Sequence, residues 1–138
     1  MAMAFIEESL LLALFGCTLL MLALHPLEWF KIRSYRQTVP GVLNKDPVGF
    51  LTRGLDVESY YYLFVLAFLL AFHRELLLLG IVLVMAVAHV AARRDVSHAP
   101  SALKNDKRLA GILVFDILEL VFLTFLMSEF WSLIAATL

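Results

Sequence analysis

The sequence is short of cysteine and lacks the motifs of common soluble enzymes. Its single cysteine, Cys17, excludes an intramolecular disulfide and any metal site built on several cysteines. The chain has no glycine-rich phosphate loop, no His-Glu-x-x-His, no Gly-x-Ser-x-Gly and no paired-cysteine motif. No nucleophile–base set is visible either, so we do not expect ordinary soluble catalysis.

Positive charge is missing from both ends of the chain. Residues 1–30 carry no Lys or Arg, and neither do residues 109–138. Apart from Arg74, the basic residues form two blocks: Lys31, Arg33, Arg36, Lys45 and Arg53, and then Arg93, Arg94, Lys104, Lys107 and Arg108. Short basic loops are retained on the cytoplasmic side of a membrane. The alternation therefore predicts a polytopic protein with both basic blocks inside and both termini outside.

Long apolar runs lie around and between the basic blocks. Hydrophobic residues make up 62% of the chain, whereas a soluble domain has roughly 45–50%. Only helices or closed barrels satisfy the backbone in lipid, and these runs lack the alternation of a barrel. We predict one all-α membrane domain over residues 1–138, a bundle of four transmembrane helices. The spans are about 5–25, 57–72, 76–92 and 109–131, joined by cytoplasmic loops at 26–56 and 93–108.

Two of these boundaries depend on local features. The His25-Pro26 pair is expected to end the first helix, because the residue before a proline is pushed away from helical geometry. The stretch 57–92 is either one long helix or a hairpin that turns at residues 73–75, His-Arg-Glu. We favour the hairpin, because a single helix would place these charges near the bilayer centre, where each costs several kcal/mol.

The location of the protein is predicted from the same features. A cleavable signal peptide is not expected, because Glu7 and Glu8 stand where such a peptide has basic residues. The compact loops then fit a bacterial inner membrane. Basic loops beside a membrane serve topology and anionic lipid binding, so they do not require a nucleic acid partner.

Two carboxyl residues interrupt the last apolar run. Asp116 and Glu119 are three residues apart and therefore share one face of a helix. Counted from Leu109, they lie about 10 and 15 Å into the membrane. Carboxyl groups at that depth must be protonated, paired with a cation or turned toward other polar groups. The pair is either a proton or cation site, or a set of neutral acids that bond to a neighbouring helix or a partner subunit.

Two histidines are expected at comparable depth on the cytoplasmic side. His25 ends the first predicted span, and His89 lies about a turn inside the inner end of the third. Facing histidines are candidate haem ligands. Together with Asp116 they are also candidates for a His/carboxylate metal site or a short proton relay. The simpler alternative is that both histidines only form hydrogen bonds near the interface.

Three functions agree with these features. The leading hypothesis is a small integral subunit that packs in, assembles or regulates a larger membrane complex, because four short spans leave little room for a private solute path. The second is a homo-oligomeric proton- or cation-coupled carrier or channel that uses Asp116 and Glu119. The third is a haem- or quinone-associated redox protein that uses His25 and His89. The expected partners are the lipid bilayer and either other membrane subunits or further copies of the chain.

Overall fold

A computed structural model describes residues 2–37 and 45–137. This part of the chain is helical, with short connections between the helices. The elements are α1 (Ala2–Arg36), α2 (Lys45–Phe72), α3 (Leu76–His98), a 3-10 segment (Pro100–Lys104) and α4 (Asp106–Thr137). Each of the four long helices is long and apolar enough to cross a membrane. The prediction of an all-helical protein with four candidate membrane spans is therefore confirmed.

The first helix does not end at the His25-Pro26 pair. α1 continues through Pro26 to Arg36, and α2 begins at Lys45. The predicted loop 26–56 is therefore helical at 26–36 and 45–56, while its segment 38–44 lies outside the described residues. A proline inside a helix costs about 3 kcal/mol, and membrane helices tolerate it where other groups compensate. Pro26 leaves the carbonyl of Leu22 without its backbone donor, and one residue earlier Nδ1 of His25 lies 2.9 Å from the carbonyl oxygen of Met21.

Residues 57–92 form the hairpin rather than one long helix. α2 ends at Phe72, residues 73–75 are not helical, and α3 begins at Leu76. Nε2 of His73 lies 3.2 Å from a carboxylate oxygen of Glu7 on α1, and the turn contains neither glycine nor proline. The predicted loop 93–108 is shorter than expected, because α3 extends to His98 and α4 already begins at Asp106.

The helices pack in the order α3, α2, α1, α4. α2 packs against α3 and α1, and α1 packs against α4, whereas α3 and α4 are not closely packed. The 3-10 segment contacts α1, α3 and α4 and buries Leu103 beside Ile32 and Leu51. We call this end of the bundle, which also carries the basic blocks, the basic end. The end at residues 73–75 is the opposite end.

The core near the opposite end is apolar. Its buried side chains come from all four helices and include Leu14, Val65, Val82, Leu123 and Leu126. Many large apolar side chains also cover the outer faces of the helices, as expected of helices that are apolar all round. In lipid such helices associate through close packing rather than through segregation from water. The polar residues of the interior lie nearer the basic end.

Candidate functional site

Five ionisable side chains are almost completely buried in the middle of the bundle. Their exposed fractions are 1% for His25, His89 and Glu119, 2% for Glu58 and 6% for Glu28. α1 supplies a histidine and a glutamate, α2 and α4 a glutamate each, and α3 a histidine. Charged side chains are almost never fully buried unless they are paired. We call these five residues and the neighbouring Asp116 the polar core.

Glu119 is the centre of the polar core. Its Oε2 lies 2.9 Å from Nε2 of His89 and 3.3 Å from Nε2 of His25. Its Oε1 accepts a hydrogen bond of 2.6 Å from the hydroxyl of Tyr62. The carboxylate of Glu58 approaches the same histidine, with 3.3 Å between its Oε2 and Nε2 of His89. One carboxyl group on α4 thus contacts side chains from each of the other three helices.

Backbone carbonyls fix the orientation of both imidazoles. Nδ1 of His25 lies 2.9 Å from the carbonyl oxygen of Met21, and Nδ1 of His89 lies 2.7 Å from that of Met85. A carbonyl oxygen can only accept, so each Nδ1 carries a proton and donates it. A neutral imidazole of this tautomer has a lone pair on Nε2. Both lone pairs then face Oε2 of Glu119, and this contact is favourable only when a proton or a metal cation lies between the atoms.

The distances match those between ligands of one metal ion. His25, Glu58 and Glu119 each offer a ligand atom, and these atoms all lie within 4.8 Å of one another. Nitrogen and oxygen ligands bind at about 2.0–2.2 Å, so two neighbours around one ion lie roughly 3 Å apart. The contacts of 2.9 and 3.3 Å between Glu119 and the two imidazoles are in this range. His25, Glu58 and Glu119 are therefore close enough together to bind one cation.

A haem does not fit this arrangement. In a bis-histidine haem, the iron and the porphyrin occupy the space between the two imidazole Nε2 atoms. Here Oε2 of Glu119 occupies that space, in contact with both His25 and His89. The two histidines do come together, as the haem hypothesis requires, but around a carboxylate. The His/carboxylate alternative fits the geometry, with Glu119 and Glu58 in the place that the sequence assigns to Asp116.

Glu28 occupies a space that a glycine leaves open. A Cβ atom at Gly54 of α2 would collide with Oε1 of Glu28, so only glycine allows this carboxyl group to lie so close to the backbone. Oε1 of Glu28 and Oε1 of Glu58 are buried and have no hydrogen-bond partner among the described residues. Leaving a buried acceptor unsatisfied costs free energy. Two such oxygens in one cluster indicate a place for a ligand.

Asp116 lies about one turn from Glu119, toward the basic end. Its Oδ2 accepts a hydrogen bond of 2.8 Å from the indole Nε1 of Trp29, which connects α4 to α1. The two carboxyl groups of α4 therefore have different partners, since Glu119 contacts the histidines and Tyr62. Neither of them is paired with a Lys or Arg side chain in the ion pairs of the described residues.

A cavity of about 620 Å³ adjoins the polar core and is lined by residues of all four helices, among them the charged Asp95 and Arg108. Glu28, Glu58, His89 and Asp116 contribute polar groups to its wall. The rest of the wall is mainly apolar and includes the small residues Ala88, Ala91, Ala92 and Gly111. α3 and α4, which both contribute to the wall of the cavity, do not pack closely against each other.

Sequence reasoning identified four members of the polar core and missed Glu28 and Glu58. Both lie near the basic end, where the prediction placed a loop or an interface. The missed signal was spacing: Glu28 follows His25 by three residues, and Tyr62 follows Glu58 by four, so each pair shares one helix face. The same rule had paired Asp116 with Glu119.

Comparison with known proteins adds no ligand or partner to this geometry. No protein-family model, no curated protein and no solved structure matches the chain.

Proposed function

We propose that this protein is an integral membrane protein that binds a divalent transition-metal ion in its polar core. One observation carries the proposal: Nε2 of His25 and Nε2 of His89 converge on Oε2 of Glu119, while backbone carbonyls hold both Nδ1 protons. Metal-bound histidines almost always donate their other ring N–H to a carbonyl, a carboxylate or water. Both imidazoles of the polar core meet this requirement.

The ligand set favours iron, manganese or zinc. Imidazole suits zinc and iron, carboxylate oxygens suit manganese, and thiolates are the ligands that select Cu(I). His25, His89, Glu119 and Glu58 supply nitrogen and oxygen only. The lone cysteine, Cys17, is half-buried and lies about two turns along α1 from His25.

Metal analysis of the purified protein tests this proposal. We expect at least one bound ion per chain after anaerobic loading with Fe²⁺, Mn²⁺ or Zn²⁺ and removal of free metal. The double variant His25→Ala/His89→Ala should bind none. The matched control is His98→Ala, because His98 is exposed and its ring bonds only locally, to Ser97 and to the carbonyl of Arg94. A wild-type chain that retains none of the three metals would refute the proposal.

Proton or cation transport is a second candidate. It is favoured by two hydrogen bonds that extend the polar core toward the opposite end, from Tyr62 to Glu119 and between Tyr61 and Thr18. Farther along, the buried residues are apolar until the contact between Glu7 and His73, so transport ranks second. The variant Asp116→Asn/Glu119→Gln should abolish flux in liposomes while assembly is retained. Unchanged flux would exclude this function.

Membership of a larger complex is a separate proposal, compatible with either function. The exposed apolar faces of the helices suit lipid or neighbouring membrane subunits. The native mass after mild extraction tests it: a discrete mass that is not a multiple of 15.6 kDa indicates a hetero-complex, whereas an exact multiple indicates a homo-oligomer. We also propose that the membrane is a bacterial inner membrane and that the basic end is cytoplasmic. The C terminus should then lie outside, so a fused reporter that is active only outside the cytoplasm should show activity.

A further inference from the structure

We infer that the polar core holds two adjacent metal ions rather than one. The first is held by His25, His89 and Glu119, and the second by Glu28 and Asp116, with the carboxylate of Glu58 bridging them. This inference rests on the proposed metal-binding function and extends it to a dinuclear centre. Unpaired oxygens and the spacing of two residue layers support it, and the charge of the polar core is compatible with it.

The unpaired oxygens lie where the second ion is needed. Oε2 of Glu58 faces the first site, 3.3 Å from Nε2 of His89, whereas its Oε1 has no hydrogen-bond partner among the described residues. Oε1 of Glu28, which belongs to a side chain only 6% exposed, has none either. Both side chains line the cavity. A carboxylate with one oxygen on each side can bridge two cations, and a cation bound here would satisfy both buried acceptors.

The polar core consists of two layers one helical turn apart. His25 and Glu119 form the first layer, and Glu28 and Asp116 lie three residues nearer the basic end on the same helices. Trp29 links the second layer by its hydrogen bond to Asp116. Three residues rise about 4.5 Å along a helix, and the ions of two-metal sites are about 3.5–4 Å apart. The separation of the layers is therefore close to the separation of the two ions in such sites.

The charge of the polar core is compatible with two ions. The polar core contains four carboxyl groups and two imidazoles, and no basic side chain forms an ion pair with those carboxyl groups among the described residues. With one divalent ion, two of the carboxyl groups would have to be protonated, because a bare negative charge in an apolar surrounding is very costly. Two divalent ions balance four carboxylates when both imidazoles are neutral. Other four-helix bundles hold dinuclear iron or manganese between inward-facing carboxylates and histidines, although with a different order of these residues along the helices.

Manganese loading of the full-length protein in detergent tests the inference. We expect two Mn²⁺ ions per chain, with an electron paramagnetic resonance spectrum of two exchange-coupled ions. Glu28→Gln should reduce the content to one ion with the spectrum of isolated Mn²⁺. Gly54→Ala should do the same without removing a carboxyl group, because the new Cβ atom displaces the carboxylate of Glu28. Glu129→Gln, at an exposed carboxyl group of α4, should keep both ions and their coupling.

Each other result has a definite meaning. One ion per wild-type chain would overturn the dinuclear centre and leave the proposed function intact, whereas no ion would overturn both. Two ions without magnetic coupling would place the second ion elsewhere and refute the inference. Two coupled ions in both Glu28→Gln and Gly54→Ala would refute the role of Glu28. If Glu28→Gln fails to fold, Gly54→Ala decides that role alone.

Discussion

The two halves of the bundle both expose large apolar side chains, but their interiors differ. Toward the opposite end the core is apolar, and Phe68 packs edge-on against Phe130 with ring centroids 6.3 Å apart. Toward the basic end the same four helices bury two imidazoles and three glutamates. The interior changes from polar to apolar within about one helical turn. On α4, Leu123 follows Glu119 on the same face, and both are fully buried.

This difference between the interiors indicates which half depends on a ligand. The apolar half is complete through packing alone, whereas the polar half contains more acceptors than donors and needs protons or cations to balance them. The cavity also lies in the polar half, where residues of α3 and α4 form part of its wall. The half that requires a ligand is thus the half that contains the cavity.

A glutamate introduced one helical turn beyond Glu119 should destabilise the apolar half. Leu123→Glu places a buried glutamate where the surrounding core is apolar, and an uncompensated buried charge costs on the order of 3–5 kcal/mol. We expect loss of the folded protein from detergent extracts, measured by size-exclusion chromatography and thermal unfolding. Leu123→Met is the control, because it conserves volume and polarity. Normal folding of Leu123→Glu would mean that the two halves do not differ in polarity as described.

Removing a carboxylate from the polar half should abolish metal binding without unfolding the protein. Glu119→Gln keeps the shape of the side chain but takes the negative charge away from both imidazoles. We expect metal affinity to fall by more than about 100-fold, since even indirect partners of a metal site are worth 10–100-fold. Thermal unfolding with and without metal measures this, and Glu129→Gln should behave as wild type. Metal affinity unchanged in Glu119→Gln would remove Glu119 from the site.

Much of the fold could be predicted because it depends on composition. Apolar runs and segregated basic residues are properties of whole segments, and they indicated four helices without knowledge of any contact. The end of α1 was wrong because a local rule about Pro26 was applied alone. The helix has two side-chain contacts on either side of Pro26 that this rule ignores. The His25 ring bonds to the carbonyl of Met21, and Trp29 bonds to Asp116 on α4. The second of these contacts spans 87 residues of sequence and cannot be inferred locally.

The candidate site could be predicted only in part for a similar reason. His89, Asp116 and Glu119 stood out because they are polar residues inside apolar runs. Glu58 did not, because it lies at the start of its run, where solvent exposure was the natural expectation. That both histidines face Glu119, rather than each other, depends on how four helices pack together. Helix spacing rules give the face of each residue but not the partner across the bundle.

Loss of one supporting hydrogen bond should weaken the metal site moderately. Tyr62→Phe removes the hydroxyl that donates to Oε1 of Glu119 and changes little else, because the ring remains packed in the core. Partners of metal ligands are typically worth 10–100-fold in affinity, and we expect a loss near tenfold in metal titrations. Tyr60→Phe is the control, because Tyr60 is 72% exposed. Equal affinities in the two variants would show that Tyr62 does not orient Glu119.

Filling the cavity should have the smallest effect, on the rate of metal exchange rather than on affinity. A side chain at Gly111 meets nothing within 4 Å, so Gly111→Leu fits without strain and narrows the seam between α3 and α4. Gly80→Leu is a matched control, because Gly80 also faces open space but lies on α3 near the opposite end. Both changes replace a helical glycine with a better helix former. A gain in stability that the two variants share therefore does not affect the comparison of their metal-release rates. We expect metal release to an external chelator to slow several-fold in Gly111→Leu only. Equal rates would mean that metal reaches the polar core by another route, and the cavity would then be a consequence of loose packing rather than an entrance.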